Sequence, residues 1–240
     1  MTGAVLTTGG VATARPGDKQ GEATYDVTIE NLTATESTDG PPATGQWLTP
    51  PVIATHRKAT GMFTVGEAAS TGIKEVAENG NLGPLRSSLE GDKHVDEIVV
   101  AKSGSPPPLA PGNSVTVSIS GDKGRKYLSF ASMLICTNDG FTGLDTHRLP
   151  KKEGDEVVVE TPGYDAGTEV NTEDFADIVP PCQALNGVSS DDDGTGTSDP
   201  AISEDGVIET HDGIQGDDDL TEAAHGWTGP VASITITRTD

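Results

Sequence analysis

Basic residues are scarce in this 240-residue chain: 15 lysines and arginines stand against 38 aspartates and glutamates, for a formal net charge of −23. Between Glu153 and Thr237 there is no lysine or arginine at all. A protein that grips nucleic acid needs a basic stripe to neutralise phosphates, so that class of partner is excluded. Docking on an anionic membrane is disfavoured for the same reason. Aromatic residues make up only 4% and hydrophobic residues 33% of the chain, which implies a thin core. No stretch is long and apolar enough to span a membrane as a helix. The only cysteines, Cys136 and Cys182, match neither a zinc-finger spacing nor a CxxC redox pair. They are either one disulfide, as expected of an exported protein, or two separate buried thiols.

What the chain has in quantity is glycine (30) and proline (16), a balance that suits short strands and many turns. Residues 23–32 alternate apolar and polar and read as a first strand. Residues 98–101 and 156–161 read as short strands, and residues 113–120 place Val115, Val117 and Ile119 on one face. The turn at 121–124 then leads into an apolar segment, residues 127–136, as the second arm of a hairpin. Residues 229–238 supply a closing strand that returns to the main sheet. Only between 65 and 90 does the period change: Ile73, Val76 and Ala77 have helical spacing, Gly80 is a natural stop, and a second short helix is expected over 82–89. Ala12, Thr13 and Ala14 have the small-x-small form of an export cleavage site, so residues 1–22 are expected to be a truncated signal peptide or a flexible terminus. Residues 23–240 are expected to be a single domain carrying an acidic loop insertion at about 186–222. That insertion, with Asp191–Asp193 and Asp217–Asp219, lacks the spacing of an EF-hand and is expected to be solvated.

Two acidic turns stand out. The apolar segment 127–136 delivers Asp139 to an Asn-Asp-Gly turn, with Asp145 close behind in sequence. The strand at 156–161 is followed by Tyr-Asp-Ala-Gly-Thr-Glu at 164–169, which presents Asp165 and Glu169. Carboxylates on glycine-containing loops at strand ends are what a hard cation such as calcium requires.

The ordered series of Tyr25–Thr33, Leu48–Val52, residues 68–78, residues 133–144, the Tyr164–Glu169 run and the Ile-Thr-Ile-Thr-Arg ending resembles the spondin domain family. The resemblance implies an antiparallel, eight-stranded-type β-sandwich similar to calcium- and lipid-binding sandwich domains, holding one calcium. It assigns Asp139 and Asp165 as ligands. At the family's third ligand, a glutamate, this chain has Ser120, with Ser118 and Asp122 nearby. Asp145, Glu169, waters or backbone carbonyls are the candidates to complete the coordination.

The function expected is therefore a non-enzymatic, secreted or cell-surface calcium-binding module that engages a protein or glycan partner. Its acidity, spread along the chain, fits a protein adapted to very high salt better than a calcium-collecting surface. The alternatives are a calcium-dependent membrane- or glycan-binding module, with Phe141 as an apolar loop tip, and a hydrolase built on paired carboxylates. His56, His94, His147, His211 and His225 sit in separate segments, and no Gly-x-Ser-x-Gly elbow or His-Glu-x-x-His helix is present, so catalysis is not expected.

Overall fold

The computed structural model describes residues 21–33, 44–102, 108–122 and 126–240. The proposed export segment around Ala12–Ala14 and the tip of the turn at 121–124 lie outside the described residues. Among the described residues ten strands are formed: β1 (Glu22–Asn31), β2 (Val52–His56), β3 (Val95–Val100), β4 (Ser114–Asp122), β5 (Tyr127–Met133), β6 (Gly140–Arg148), β7 (Glu156–Thr161), β8 (Gly163–Asp165), β9 (Glu209–Thr210) and β10 (Ala232–Arg238). They make two antiparallel sheets, a four-stranded one in the order β4-β1-β10-β7 and a six-stranded one in the order β3-β2-β5-β6-β8-β9. The β-sandwich expected from the sequence is the architecture observed. The strands β8 and β9 are only three and two residues long.

Alternation in β1 has a direct cause. Ala23, Tyr25, Val27 and Ile29 point into the sandwich, while Glu22, Asp26 and Glu30 point to solvent. They meet Ile53, Leu128 and Phe130 from the six-stranded sheet and Ile234 and Ile236 from β10. The six-stranded sheet also has a second covered face. Val52, Ala54, Ala131, Met133 and Phe141 pack there against two helices, α1 (Thr71–Asn79) and α2 (Gly83–Gly91). Every residue of β2 is therefore buried, and β5 is buried along nearly its whole length because both its faces are dry, with the Ser129 and Ser132 hydroxyls hydrogen-bonded.

The helices form where the period changes. The Ser70 hydroxyl accepts from the amide of Ile73 at 3.2 Å and caps α1, and Gly80 ends it at φ 61°, where its amide reaches back to Val76 and that of Asn81 to Glu75. Ile73, Val76 and Ala77 are fully buried.

The expected hairpin across 121–124 is not formed. β4 pairs with β1, Val117 opposite Val27, whereas β5 pairs with β2 and β6, so the chain crosses here from one sheet to the other. A strand apolar on one face, such as β4, fits the four-stranded sheet, while a doubly apolar strand such as β5 needs the centre of the covered one.

In the acidic segment Asp191–Asp193, Asp217 and Asp218 are exposed, as expected, but apolar residues between and beside them are packed. Ile208 and Leu220 are 1% and 0% exposed, and β9 adds to the sheet beside β8. Two short helices flank that segment, α3 (Pro181–Asn186) and α4 (Glu222–His225). Cys136 and Cys182 form a disulfide with Cα atoms 5.1 Å apart, joining the turn after β5 to α3.

Candidate functional site

The turn between β5 and β6 is built by Thr137, whose hydroxyl donates to the Leu134 carbonyl at 2.7 Å and accepts from the Gly140 amide at 2.9 Å. Gly140 is required there, since a Cβ would lie 2.4 Å from the Thr137 hydroxyl. Asn138 reaches forward from the same turn and accepts from the amides of Thr172 and Glu173 at 3.1 and 3.4 Å. Between them, Asp139 is fully buried. Its Oδ2 accepts from the amides of Thr168 and Glu169 at 2.6 and 3.1 Å and from the Thr168 hydroxyl at 3.1 Å. Its Oδ1 is buried and has no hydrogen-bond donor.

Asp165 stands across the ladder, opposite Gly140 in the pairing of β6 with β8. The Gly167 amide donates to its Oδ1 and the Asn171 side-chain amide to its Oδ2, both at 2.6 Å. Gly167 turns the chain at φ 67°, and a Cβ there would press on the backbone of Val207 at 2.6 Å. Burial first, and the neighbouring Asp165 second, push the Asp139 carboxyl up to about 7. A buried carboxyl in this setting either keeps its proton near neutrality or takes a cation beside it.

The Spondin_N family model matches residues 23–176. The chain belongs to the spondin N-terminal domain family. A search of curated proteins found no match. The spondin match begins in β1 and includes Asp139, Asp165 and the other four candidate ligands, but leaves out α3, the acidic segment and β10. β10 is nonetheless hydrogen-bonded between β1 and β7, so the four-stranded sheet of this spondin domain is completed by chain beyond the match.

The spondin fold brings Asp139 and Asp165 together and separates three of the other candidates from them. Asp145 lies at the far end of β6, roughly 20 Å along an extended strand from Asp139. Its carboxylate accepts from the amides of Met62 and Phe63 at 2.5 and 3.4 Å and from the Ser129 hydroxyl at 3.1 Å, clamping the loop before α1. A Cβ on Gly61 would lie 2.7 Å from the Asp145 carboxylate, so the clamp needs glycine there. Ser120 and Asp122 lie on β4, in the other sheet. The Ser120 carbonyl accepts from the Thr55 hydroxyl at 2.6 Å, and the Ser120 amide donates to Glu97 at 2.5 Å. Thr55 pairs with Leu128, at the end of β5 away from the Asp139 turn. The Asp122 amide donates to Asp96 at 2.6 Å.

Glu169 is close to Asp139 in the chain fold, near enough for the Asp139 charge to act on its carboxylate, which is engaged by groups outside the turn. It accepts from the Asp199 amide at 3.2 Å and lies by Glu78 of α1, which pairs with Lys74 at 3.1 Å and accepts from the Ser198 hydroxyl. Burial, then Glu78, push Glu169 up to about 8. His147 pairs with Leu128, also far from the Asp139 turn. Phe141 is fully buried against Phe63 and Tyr164, with ring centroids 5.1 and 5.4 Å away, and is not an exposed loop tip.

Groups that sequence reading did not connect with the site now join it. Thr168 and the Glu169 amide orient Asp139, and the amide of His211 bonds to the Gly163 carbonyl at 3.0 Å, two residues from Asp165. The His211 Nδ1 accepts from the Gly213 amide at 2.9 Å, while its Nε2 is buried without a partner. Nothing in the local sequence around His211 signals this, because the contact depends on β9 joining β8. The donors present suit a hard cation at Asp139 Oδ1 and Asp165. They do not amount to a complete side-chain cage. Among the described residues, the triads of His, Cys, Asp or Glu whose ligand atoms converge within 4.8 Å contain neither Asp139 nor Asp165.

Proposed function

We propose that this spondin domain is a non-enzymatic, exported calcium-binding module that presents a surface to a protein or glycan outside the cell. The family is of extracellular type, and among the described residues no helix is long and apolar enough to cross a membrane. The observation that carries the calcium reading is the buried, donorless Oδ1 of Asp139 beside Asp165. Calcium accepts carboxylates, carbonyls and waters in flexible geometry, so two carboxylates and a partly hydrated shell are a reasonable donor set. Asp139 and Asp165 would hold the ion, which supplies charge neutralisation. The chain's own groups do the positioning: the amides of Thr168 and Glu169 fix Asp139, and Gly167 with Asn171 fixes Asp165. The effect is to tie the β5–β6 turn to the loop after β8.

Calorimetric titration of the chelator-stripped protein with calcium tests this directly. One saturable site is expected, lost in Asp139→Ala and in Asp165→Ala, with a melting temperature that rises as calcium is added in low-salt buffer. Absence of binding, or binding that neither substitution alters, removes the metal from the reading.

A further inference from the structure

A second donor cluster lies around the disulfide, made from residues of which three of four are outside the family match. Cys136 follows β5, Cys182 and Asn186 are on α3, and His225 closes α4. The sulfurs of Cys136 and Cys182 and a ring nitrogen of His225 lie within 4.8 Å of one another, and all three residues are buried. Two polar atoms on the residues of this cluster have no partner while the disulfide is intact. The His225 Nδ1 accepts from the Thr221 amide at 3.0 Å, but its Nε2 is buried and unpaired. Asn186 donates its side-chain amide to the carbonyls of Gly45 and Ala224, both at 2.9 Å, which aims its Oδ1 at the Cys136 sulfur 3.6 Å away. In the disulfide that sulfur carries no hydrogen to donate. Unpaired buried polar groups are costly, and two of them on residues packed around one sulfur pair call for an explanation.

We infer that Cys136, Cys182, His225 and the Asn186 Oδ1 form a latent site for a thiophilic divalent cation of the zinc type, available when the disulfide is reduced. Zinc takes four donors of the sulfur, nitrogen and oxygen kinds. Donors at about 2.0–2.3 Å from a tetrahedral ion lie roughly 3–4 Å apart, so assembly needs the sulfurs to part and the His225 ring to change tautomer. The chemistry balances with a dithiol or phosphine reductant. The reductant gives up two electrons, the S–S bond breaks, and two protons convert the sulfurs to thiols. Zinc then displaces both thiol protons. The imidazole proton must end on Nδ1, so the bond from Thr221 is given up when Nε2 becomes a ligand. Burial keeps the His225 pKa below its ordinary value, which favours the neutral ring that a metal requires.

The reduced full-length protein, titrated with cobalt(II) and then zinc, provides the test. Expected are one equivalent of cobalt bound with a sulfur-to-cobalt charge-transfer band, displacement by zinc, and no such band in the oxidised protein. His225→Ala, which leaves both cysteines in place, is expected to weaken zinc binding by more than roughly tenfold while still allowing the disulfide to form under oxidation. Reduced, folded protein that takes up no cobalt, or takes it up equally well in His225→Ala, overturns the inference. If the reduced chain does not stay folded alone, it is refolded from denaturant under reductant with and without zinc. Recovery of native circular dichroism only with zinc supports the site, and equal recovery or none overturns it. Calcium titration reads the separate Asp139 site and is unaffected by either result.

Discussion

Asp139 shows how one side chain can report on a site. Its Oδ2 has three donors and its Oδ1 none, although both oxygens belong to a residue with no exposure. The raised carboxyl gives a pH signature for the calcium-free protein. The folded state holds the proton up to about 7, whereas the unfolded chain releases it near 3.8, so between those values the folded state binds more protons and stability falls as pH rises. Glu169, pushed up to about 8 from 4.5, adds a loss of the same sign over a slightly higher window. In chelator, Asp139→Asn is therefore expected to flatten the decline in melting temperature between pH 4 and pH 7 relative to the parent. An equally steep decline in the variant would mean that Asp139 is not the group responsible. Asp145, six positions further along the chain, has its carboxylate occupied by Met62, Phe63, Ser129 and Thr146, and so works as a loop clamp.

At the scale of elements, the helical pair α1 and α2 covers the outer face of the six-stranded sheet, and its contribution follows from burial. Ile73 is fully buried, so Ile73→Ala should cost about 2–5 kcal/mol in denaturant unfolding, as large-to-small core changes do. Val158 on the edge strand β7 is 56% exposed, and Val158→Ala should stay within about 0.5 kcal/mol. Comparable losses at the two positions would contradict the packing described. The helices were legible because Ser70, the spacing of Ile73, Val76 and Ala77, and Gly80 are local signals. The partner of β4 was not. A turn of Gly-Asp-Lys-Gly marks a change of direction, but whether the chain returns beside itself or crosses to another sheet depends on what lies opposite.

For the whole molecule, the charge of −23 is the dominant global term. Acidic groups spread over a small sandwich repel one another, and salt shortens the range of that repulsion from about 8 Å at physiological ionic strength to about 3 Å at 1 M. In chelator, the melting temperature should rise steadily as potassium chloride is raised from 0.15 to 2 M, roughly the range over which screening takes hold. A flat or falling curve would argue against the salt-adapted reading of the composition.

The sequence by itself determined the class of fold, the strands whose alternation encodes one dry face, the two helices, and the two acidic turns, because each of these is written in residues a few positions apart. It also argued against a nucleic-acid groove, since charge is a sum that needs no coordinates. Tertiary structure alone decided which acids meet. Asp139, in the turn before β6, comes beside Asp165 of β8, which pairs with Gly140, while an extended strand carries Asp145 away and the second sheet holds Ser120 and Asp122. It decided, too, between a disulfide and two thiols, and brought His225 and Asn186 to the sulfurs. Contacts between residues dozens of positions apart are set by how whole sheets pack, and no local pattern records them.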